Sequence, residues 1–253
     1  KRIKACVPMH TFGFPAEIEK IVELCSAHNI TLVEDAAESI CSYVGNKHTG
    51  TFGDLACLSF NGNKIITTSG GGALISNNGQ WIEKARFLST QARDVAPHYQ
   101  HSHIGYNYRM SNVLAGIGRG QLEVLNDRIK ARRENFQLYH KYFTDLNNKG
   151  FDIQFQVEPK NYFSNRWLTC IIIDPSNNAG ISKEDIRKFL LNRRSDTIIK
   201  NIDKLQKIEP IIMERLKNKV DWDHLRPKLV EVKSEEDKLL TPIPVSYSTS
   251  LKY

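Results

Sequence analysis

A lysine set a few residues beyond an apolar run is a candidate nucleophile, because partial desolvation favours the free amine that attacks a carbonyl. Lys64 has that setting: Ser59-Phe60-Asn61-Gly62-Asn63-Lys64 leads directly into Ile65-Ile66-Thr67-Thr68. In isolation a loop lysine is ordinarily solvated surface, so Lys64 needs partners. Asp35 is one. It closes the apolar run Ile30–Val33 and is followed by Ala36-Ala37, small residues that let a flat ligand approach. A carboxylate there either holds the protonated nitrogen of a pyridine ring or caps the next segment. Together, a strand-terminal Asp, a Lys 29 residues later and Ser59 five residues before that Lys suit pyridoxal 5'-phosphate. The Asp keeps the ring nitrogen charged, the Lys forms the imine and the Ser donates to the phosphate.

These residues need a scaffold that ends strands beside one another. Lys4–Val7, Ile30–Val33, Leu55–Phe60 and Ala73–Ser76 read as short strands. Pro15 opens a helix with Ile18, Ile21, Val22 and Cys25 on one face. Apolar strands separated by helices predict an α/β fold, a mostly parallel sheet covered on both faces. Ligands of such sheets gather at the carboxyl ends of the strands, where His10, Asp35 and the segment after Phe60 lie. From Ser111 to Asn147 the pattern is helical throughout: Leu114, Ile117, Gly118, Gln121, Leu122 and Leu125 form a stripe that Ile129, Phe136, Tyr139 and Phe143 continue. Phe151 begins a smaller α+β unit, with strands at Ile153–Val157 and Trp167–Ile173 and a helix opened by the capping box Ser182-Lys183-Glu184-Asp185. The expected division is 1–147, 148–195 and a divergent segment 196–253, in which only a helix near Glu209–Lys219 is readable.

The 253 residues, 40% of them hydrophobic, suffice for a sizeable core. No run approaches the ~20 apolar residues of a membrane span, which argues against an integral membrane protein. The net charge of +7 suits anionic metabolites, and the basic residues Arg128, Lys130, Arg132 and Arg133 lack the aromatic platform of a nucleic-acid site. Five cysteines show no C-x-x-C. Cys6, Cys57 and Cys170 sit in apolar runs and read as buried reduced thiols, in keeping with a cytoplasmic protein.

Val7-Pro8-Met9-His10…Gly13, Glu34-Asp35-Ala36-Ala37-Glu38-Ser39, Gly45-x-Lys47-x-x-Gly50-x-Phe52-Gly53-Asp54, Ser59-Phe60-Asn61-Gly62-Asn63-Lys64 and Gly105-Tyr106-Asn107-Tyr108-Arg109-Met110-Ser111-Asn112 resemble the DegT/DnrJ/EryC1/StrS sugar aminotransferases. The likeness spans residues 5–195. It is nearest the branch that aminates UDP-4-keto-6-deoxy-N-acetylhexosamines.

The resemblance implies a fold-type-I pyridoxal-phosphate enzyme, with a large domain and a small α+β C-terminal domain. It would move an amino group from L-glutamate to a keto-sugar nucleotide in two half-reactions. Lys64 would be the imine-forming lysine and proton shuttle, Asp35 the partner of the pyridinium nitrogen and Ser59 a phosphate ligand. Asn107 would reach the neighbouring subunit's cofactor phosphate, making the active unit a homodimer. Glu38 stands where the family often has Gln, near the ring hydroxyl. His10 and Asn63 fall near the sugar site or serve the fold. Arg109 anchors its loop or touches ligand. Asn165-Arg166-Trp167 resembles the small-domain segment facing substrate, with Arg166 a candidate contact and Trp167 equally readable as core. Relatives that replace the lysine by histidine dehydrate instead; Lys64 argues against that branch.

Cys41 stands where the family has glycine in Glu-Ser-x-Gly, and Ser69 where a glycine run begins. The family's upstream phosphate-binding turn and its C-terminal Arg-Pro-x-Trp-x-x-x-His segment are not recognisable in this sequence. The expectation is therefore an N-terminally incomplete chain that binds the cofactor weakly and does not transaminate. The alternative to an enzyme is a non-catalytic remnant serving as a binding domain.

Overall fold

The computed structural model describes residues 3–188, so the helix read over Glu209–Lys219 and the segment 196–253 lie outside the described residues. The chain divides into two compact units. One holds the residues up to Gln137 together with Val157–Cys170; the other holds Leu138–Gln156 and the chain from Ile171. The division falls before the break expected after residue 147, and Val157–Cys170 returns to the first unit.

In the first unit, β1 (Ala5–Cys6), α1 (Ile18–Ala27), β2 (Thr31–Asp35), β3 (Tyr43–Val44), β4 (Lys47–His48), β5 (Leu55–Ser59) and β6 (Gly72–Ile75) follow in chain order. The main sheet runs β1-β2-β5-β6. β1 and β2, and β2 and β5, are parallel, in line with the mostly parallel expectation, while β6 returns antiparallel. Alternation along β2 and β5 buries Leu32, Glu34 and Ala56 on one face. Ile18 and Cys25 of α1 pack with Leu32 and Val44 to form the core on that side.

On the opposite face β5 and β6 carry side chains open to solvent among the described residues. Cys57 is exposed there and Leu74, its cross-strand partner, is 39% exposed. The expected burial of Cys57 fails for that reason; Cys6 and Cys170 are half-buried, and Cys25 is the buried thiol.

A second, three-stranded sheet joins β4, β3 and β8 (Tyr162–Phe163). Gly45 takes φ 58° between β3 and β4, a left-handed conformation that a Cβ disfavours. Cys41 (φ 58°) and Ser69 (φ 69°) occupy the same region, so the two positions where the resemblance leads to an expectation of glycine have a backbone that favours it.

α2 (Gly79–Ser89) is capped by Asn78, which accepts from the Trp81 amide at 3.2 Å, and α3 (Asn112–Glu123) by Ser111, which accepts from Leu114 at 3.3 Å. The helix expected to run unbroken to Asn147 stops at Val124 and restarts as α4 (Leu125–Asn147). Ile129 and Phe136 of its stripe are buried, whereas Ile117, Leu122 and Tyr139 are exposed. Ile65, Ile66, Ile129 and Trp167 make a second core cluster beneath the loop after β5.

In the second unit, β7 (Ile153–Phe155) pairs antiparallel with β9 (Ile171–Ile173). Trp167 is thus outside the strand expected over Trp167–Ile173; Arg166, at φ 53°, breaks the extended run before it. Ser182 and Asp185 exchange the two bonds of a capping box, with Asp185 Oδ2 accepting from the Ser182 amide at 2.9 Å. No helix among the described residues is long and apolar enough to cross a membrane.

Candidate active site

The parallel register sets Asp35 opposite Cys57, which puts Asp35, Cys57 and Ser59 on the same open face at the carboxyl ends of two adjacent strands. Asp35 Oδ1 accepts from the Ala37 amide at 3.1 Å, a turn that sends the chain sideways toward Glu38. Ser59 Oγ accepts from the Asn61 amide at 3.3 Å, which leaves its hydroxyl hydrogen to donate. Although its surface is open to solvent, partial desolvation by the neighbouring chain, with the nearby Asp35 charge adding to it, pushes the Cys57 thiol pKa up.

The loop after β5 is fixed by backbone bonds. Lys64 N donates to Asn61 O at 3.1 Å, and Phe60 exchanges bonds with Gly71 and Thr68. Buried Ile65 and Ile66 anchor the chain immediately beyond. The Lys64 side chain is only 13% exposed. Its Nζ donates to Glu38 Oε1 at 3.3 Å and stands 4.3 Å over the centroid of the Trp167 ring. Glu38 Oε2 accepts from the Phe12 amide at 2.7 Å. The lysine is therefore a held ammonium with two partners rather than solvated surface.

Other residues expected at the site are placed differently. His10 is fully buried: its Nε2 meets Glu34 Oε2 at 2.9 Å and its Nδ1 accepts from the Ala16 amide at 3.0 Å. Both ring nitrogens are engaged inside. Arg166 is also buried, paired with Glu158 at 3.5 Å and stacked 3.8 Å from the Phe136 ring centroid. Burial lowers its pKa and the Glu158 charge opposes that shift. Asn63 is exposed and uses its carbonyl to accept from Trp167 Nε1 at 2.8 Å. Asn107 is exposed, bridged to Thr90. Its neighbours Tyr106 and Tyr108 stack at 4.9 Å and line, with Arg109, a groove of about 670 Å³ whose lining does not include Asp35, Ser59 or Lys64.

Sequence reasoning did not identify the Lys64–Trp167 contact or the Glu34 cluster. Glu34 Oε1 accepts from the Phe52 and Gly53 amides at 2.6 Å, and Oε2 from Gly50 at 2.7 Å. The phenylalanine and glycines of Gly50-x-Phe52-Gly53 were the available signal, because close backbone approach leaves amides pointing at one acceptor.

The donor set fits pyridoxal phosphate. It offers an acceptor for a ring N–H, a hydroxyl donor at the adjacent strand end and a held primary amine on the next loop. The uncovered shelf of Cys57 and Leu74 lies beside the acceptor.

The comparisons agree. The chain is 48% identical over 183 residues to EpsN of Bacillus subtilis (strain 168), which carries an assignment as a pyridoxal phosphate-dependent aminotransferase; the match covers 72% of this chain and 45% of that protein. It is 36% identical over 192 residues to the GDP-perosamine synthase of Vibrio cholerae, covering 76% and 50%. The crystal structure of the aminotransferase TlmJ from Streptoalloteichus hindustanus superposes with a TM-score of 0.66 at 28% identity, covering 75% of this chain and 50% of that one. The chain spans about half the length of the curated relatives it matches. The shared fold is the fold-type-I architecture of pyridoxal-phosphate enzymes. With residues 1–208 matched, the chain belongs to the pyridoxal-phosphate-dependent DegT/DnrJ/EryC1/StrS aminotransferase family.

Proposed function

We propose that this protein transfers an amino group from L-glutamate to a keto-sugar nucleotide, with pyridoxal phosphate held by Asp35, Ser59 and Lys64 and with a homodimer as the active unit. The observation that carries the reading is the Lys64 amine, held between Glu38 and Trp167 on the loop next to a strand end that carries Asp35. When bound, the cofactor supplies an electron-withdrawing ring that stabilises negative charge on the carbon bearing the amine. Asp35 keeps the proton on the ring nitrogen. Ser59 donates its hydroxyl hydrogen to the phosphate, and Asn107 of the partner subunit adds a second donor. Lys64 Nζ takes the proton from glutamate Cα in the first half-reaction and delivers one to the sugar's former carbonyl carbon in the second. Glutamate leaves as its 2-oxo acid and the sugar leaves as an amine.

Glu38, which accepts from Lys64 Nζ, would be the partner of the cofactor's ring hydroxyl. His10 and Arg166, buried and engaged, support the loops rather than the sugar. The V. cholerae relative is named for a GDP-sugar and the sequence motifs resemble a UDP-sugar branch, so both nucleotides belong in the assay.

The test incubates the protein with pyridoxal phosphate, fixes imines with borohydride and maps the adduct by peptide mass spectrometry. The adduct is expected on Lys64 and absent in Lys64→Ala. With the family's upstream phosphate-binding turn supplied, L-glutamate and a UDP- or GDP-linked 4-keto-6-deoxysugar should yield the aminosugar and 2-oxo acid in equal amounts. An adduct spread over surface lysines and unchanged in Lys64→Ala would overturn the reading.

A further inference from the structure

Ser164–Trp167 has no regular backbone pairing, yet all four residues are buried. A buried irregular segment must find partners for its polar groups, and here they converge on Asn165. Its amide N donates to Ser42 Oγ at 3.0 Å, and its Nδ2 donates to Glu38 O at 2.9 Å and Ile40 O at 2.8 Å. Its Oδ1 accepts from the Trp167 amide at 2.8 Å. The indole is pinned at its far end as well, because Nε1 donates to the carbonyl of Asn63, the residue before Lys64. Asn165 thereby fixes the backbone of both side chains that meet the Lys64 ammonium, the Glu38 carboxylate and the Trp167 ring.

We propose that Trp167 is a positioning residue for Lys64: its indole face and the Glu38 carboxylate form a seat that holds the amine at one place beside the strand ends. The proposal rests on the reading of Lys64 as the reactive amine and adds a role for the segment 164–167. A ring face attracts an ammonium through its quadrupole, which an aliphatic side chain of similar bulk does not do. A Trp that only filled the core would be replaceable by leucine with no consequence for Lys64.

The test needs no cofactor. A brief pulse of an acetylating N-hydroxysuccinimide ester, read lysine by lysine by mass spectrometry, gives the labelling of Lys64 relative to Lys20, whose side chain is 72% exposed. Trp167→Leu should raise that ratio about threefold or more, while Trp167→Phe, which keeps a ring, stays within about twofold of wild type. Because Trp167→Leu also removes a core side chain, a second measurement keeps the native core. In a chain where Trp167 is the sole tryptophan (Trp81→Phe, Trp222→Phe), Lys64→Met should shift the indole emission maximum by removing the charge above it. Unchanged labelling in Trp167→Leu together with unchanged emission in Lys64→Met would overturn the proposal. If Lys64 takes no pyridoxal phosphate but its labelling answers to Trp167, the proposed function fails and the seat stands. If the adduct forms while labelling ignores Trp167 and the emission ignores Lys64, the reverse holds.

Discussion

Glu34 and Asp35 are consecutive carboxylates in β2, and alternation sends them to opposite faces of the sheet. Asp35 reaches the open shelf. Glu34 is fully buried and accepts three backbone N–H groups and a His10 ring nitrogen. Burial alone would raise its pKa; the His10 bond and the Gly53 and Gly50 amides override that and hold the carboxyl below the usual range. A carboxyl whose folded pKa lies below its unfolded value, about 4.3 for Glu, stabilises the fold fully above that value. The contribution is lost as pH falls through the folded pKa. Glu34→Gln keeps the shape but turns an NH₂ toward amides that need an acceptor. The variant should be destabilised by about 2–4 kcal/mol at pH 7. Its deficit should shrink as the pH is lowered below about 4, where wild type loses the same contribution. Urea unfolding at both pH values checks this, and a deficit independent of pH would remove Glu34 from that role.

At the scale of elements, α1, β2, β5 and β6 were readable because their signals are local: a 3.6-residue apolar period, short apolar runs and a glycine turn. Asp35, Ser59 and Lys64 inherit their places from those strand ends, so their position in the fold is readable in the sequence too. The segment from Val157 to Cys170 was not. Trp167–Ile173 is apolar enough to read as one strand, but Arg166 turns left-handed and Trp167 is held by Asn165 and Asn63, residues whose relation to it is tertiary. β3, β4 and β8 are two residues each, too short to show a period. The same tertiary logic explains Gly13. Its φ is +85°, its carbonyl accepts from Ser42 Oγ and Ser164 Oγ, and an added Cβ would lie 1.9 Å from Asn165 Oδ1. Asn165 cannot retreat without breaking its bonds to Glu38, Ile40 and Trp167. Gly13→Ala should therefore cost about 2–4 kcal/mol, strain and overpacking together. Gly45→Ala, left-handed but with nothing within 4 Å of the added Cβ, should cost about 1 kcal/mol. Equal unfolding midpoints for the two variants would show that the Asn165 contact does not constrain the loop.

For the whole molecule, the arrangement of Asn107 bears on how many chains make one site. It is exposed beside stacked Tyr106 and Tyr108, in a stretch that also exposes Ile104, Val113, Ile117 and Leu122. Apolar surface of that kind is suited to cover by a second copy, and a two-fold interface would carry each Asn107 toward the other subunit's cofactor. Losing one hydrogen bond to a phosphate dianion costs about 1.5–3 kcal/mol, so Asn107→Ala should weaken pyridoxal phosphate binding about 10- to 100-fold. The assignment in trans makes a sharper demand. At a cofactor concentration that leaves the Asn107→Ala protein mostly unlabelled after borohydride, adding Lys64→Ala subunits should increase the adduct on Lys64 of the Asn107→Ala chain. The added chain brings an intact Asn107 and has no Lys64 of its own to label. In the heterodimer one site then combines a native Lys64 with a native Asn107, and the other site carries both lesions. If the mixture is shown to exchange subunits and the adduct does not rise, Asn107 acts within its own chain or not at all. If the protein stays monomeric at assay concentrations, the two-chain site is overturned directly.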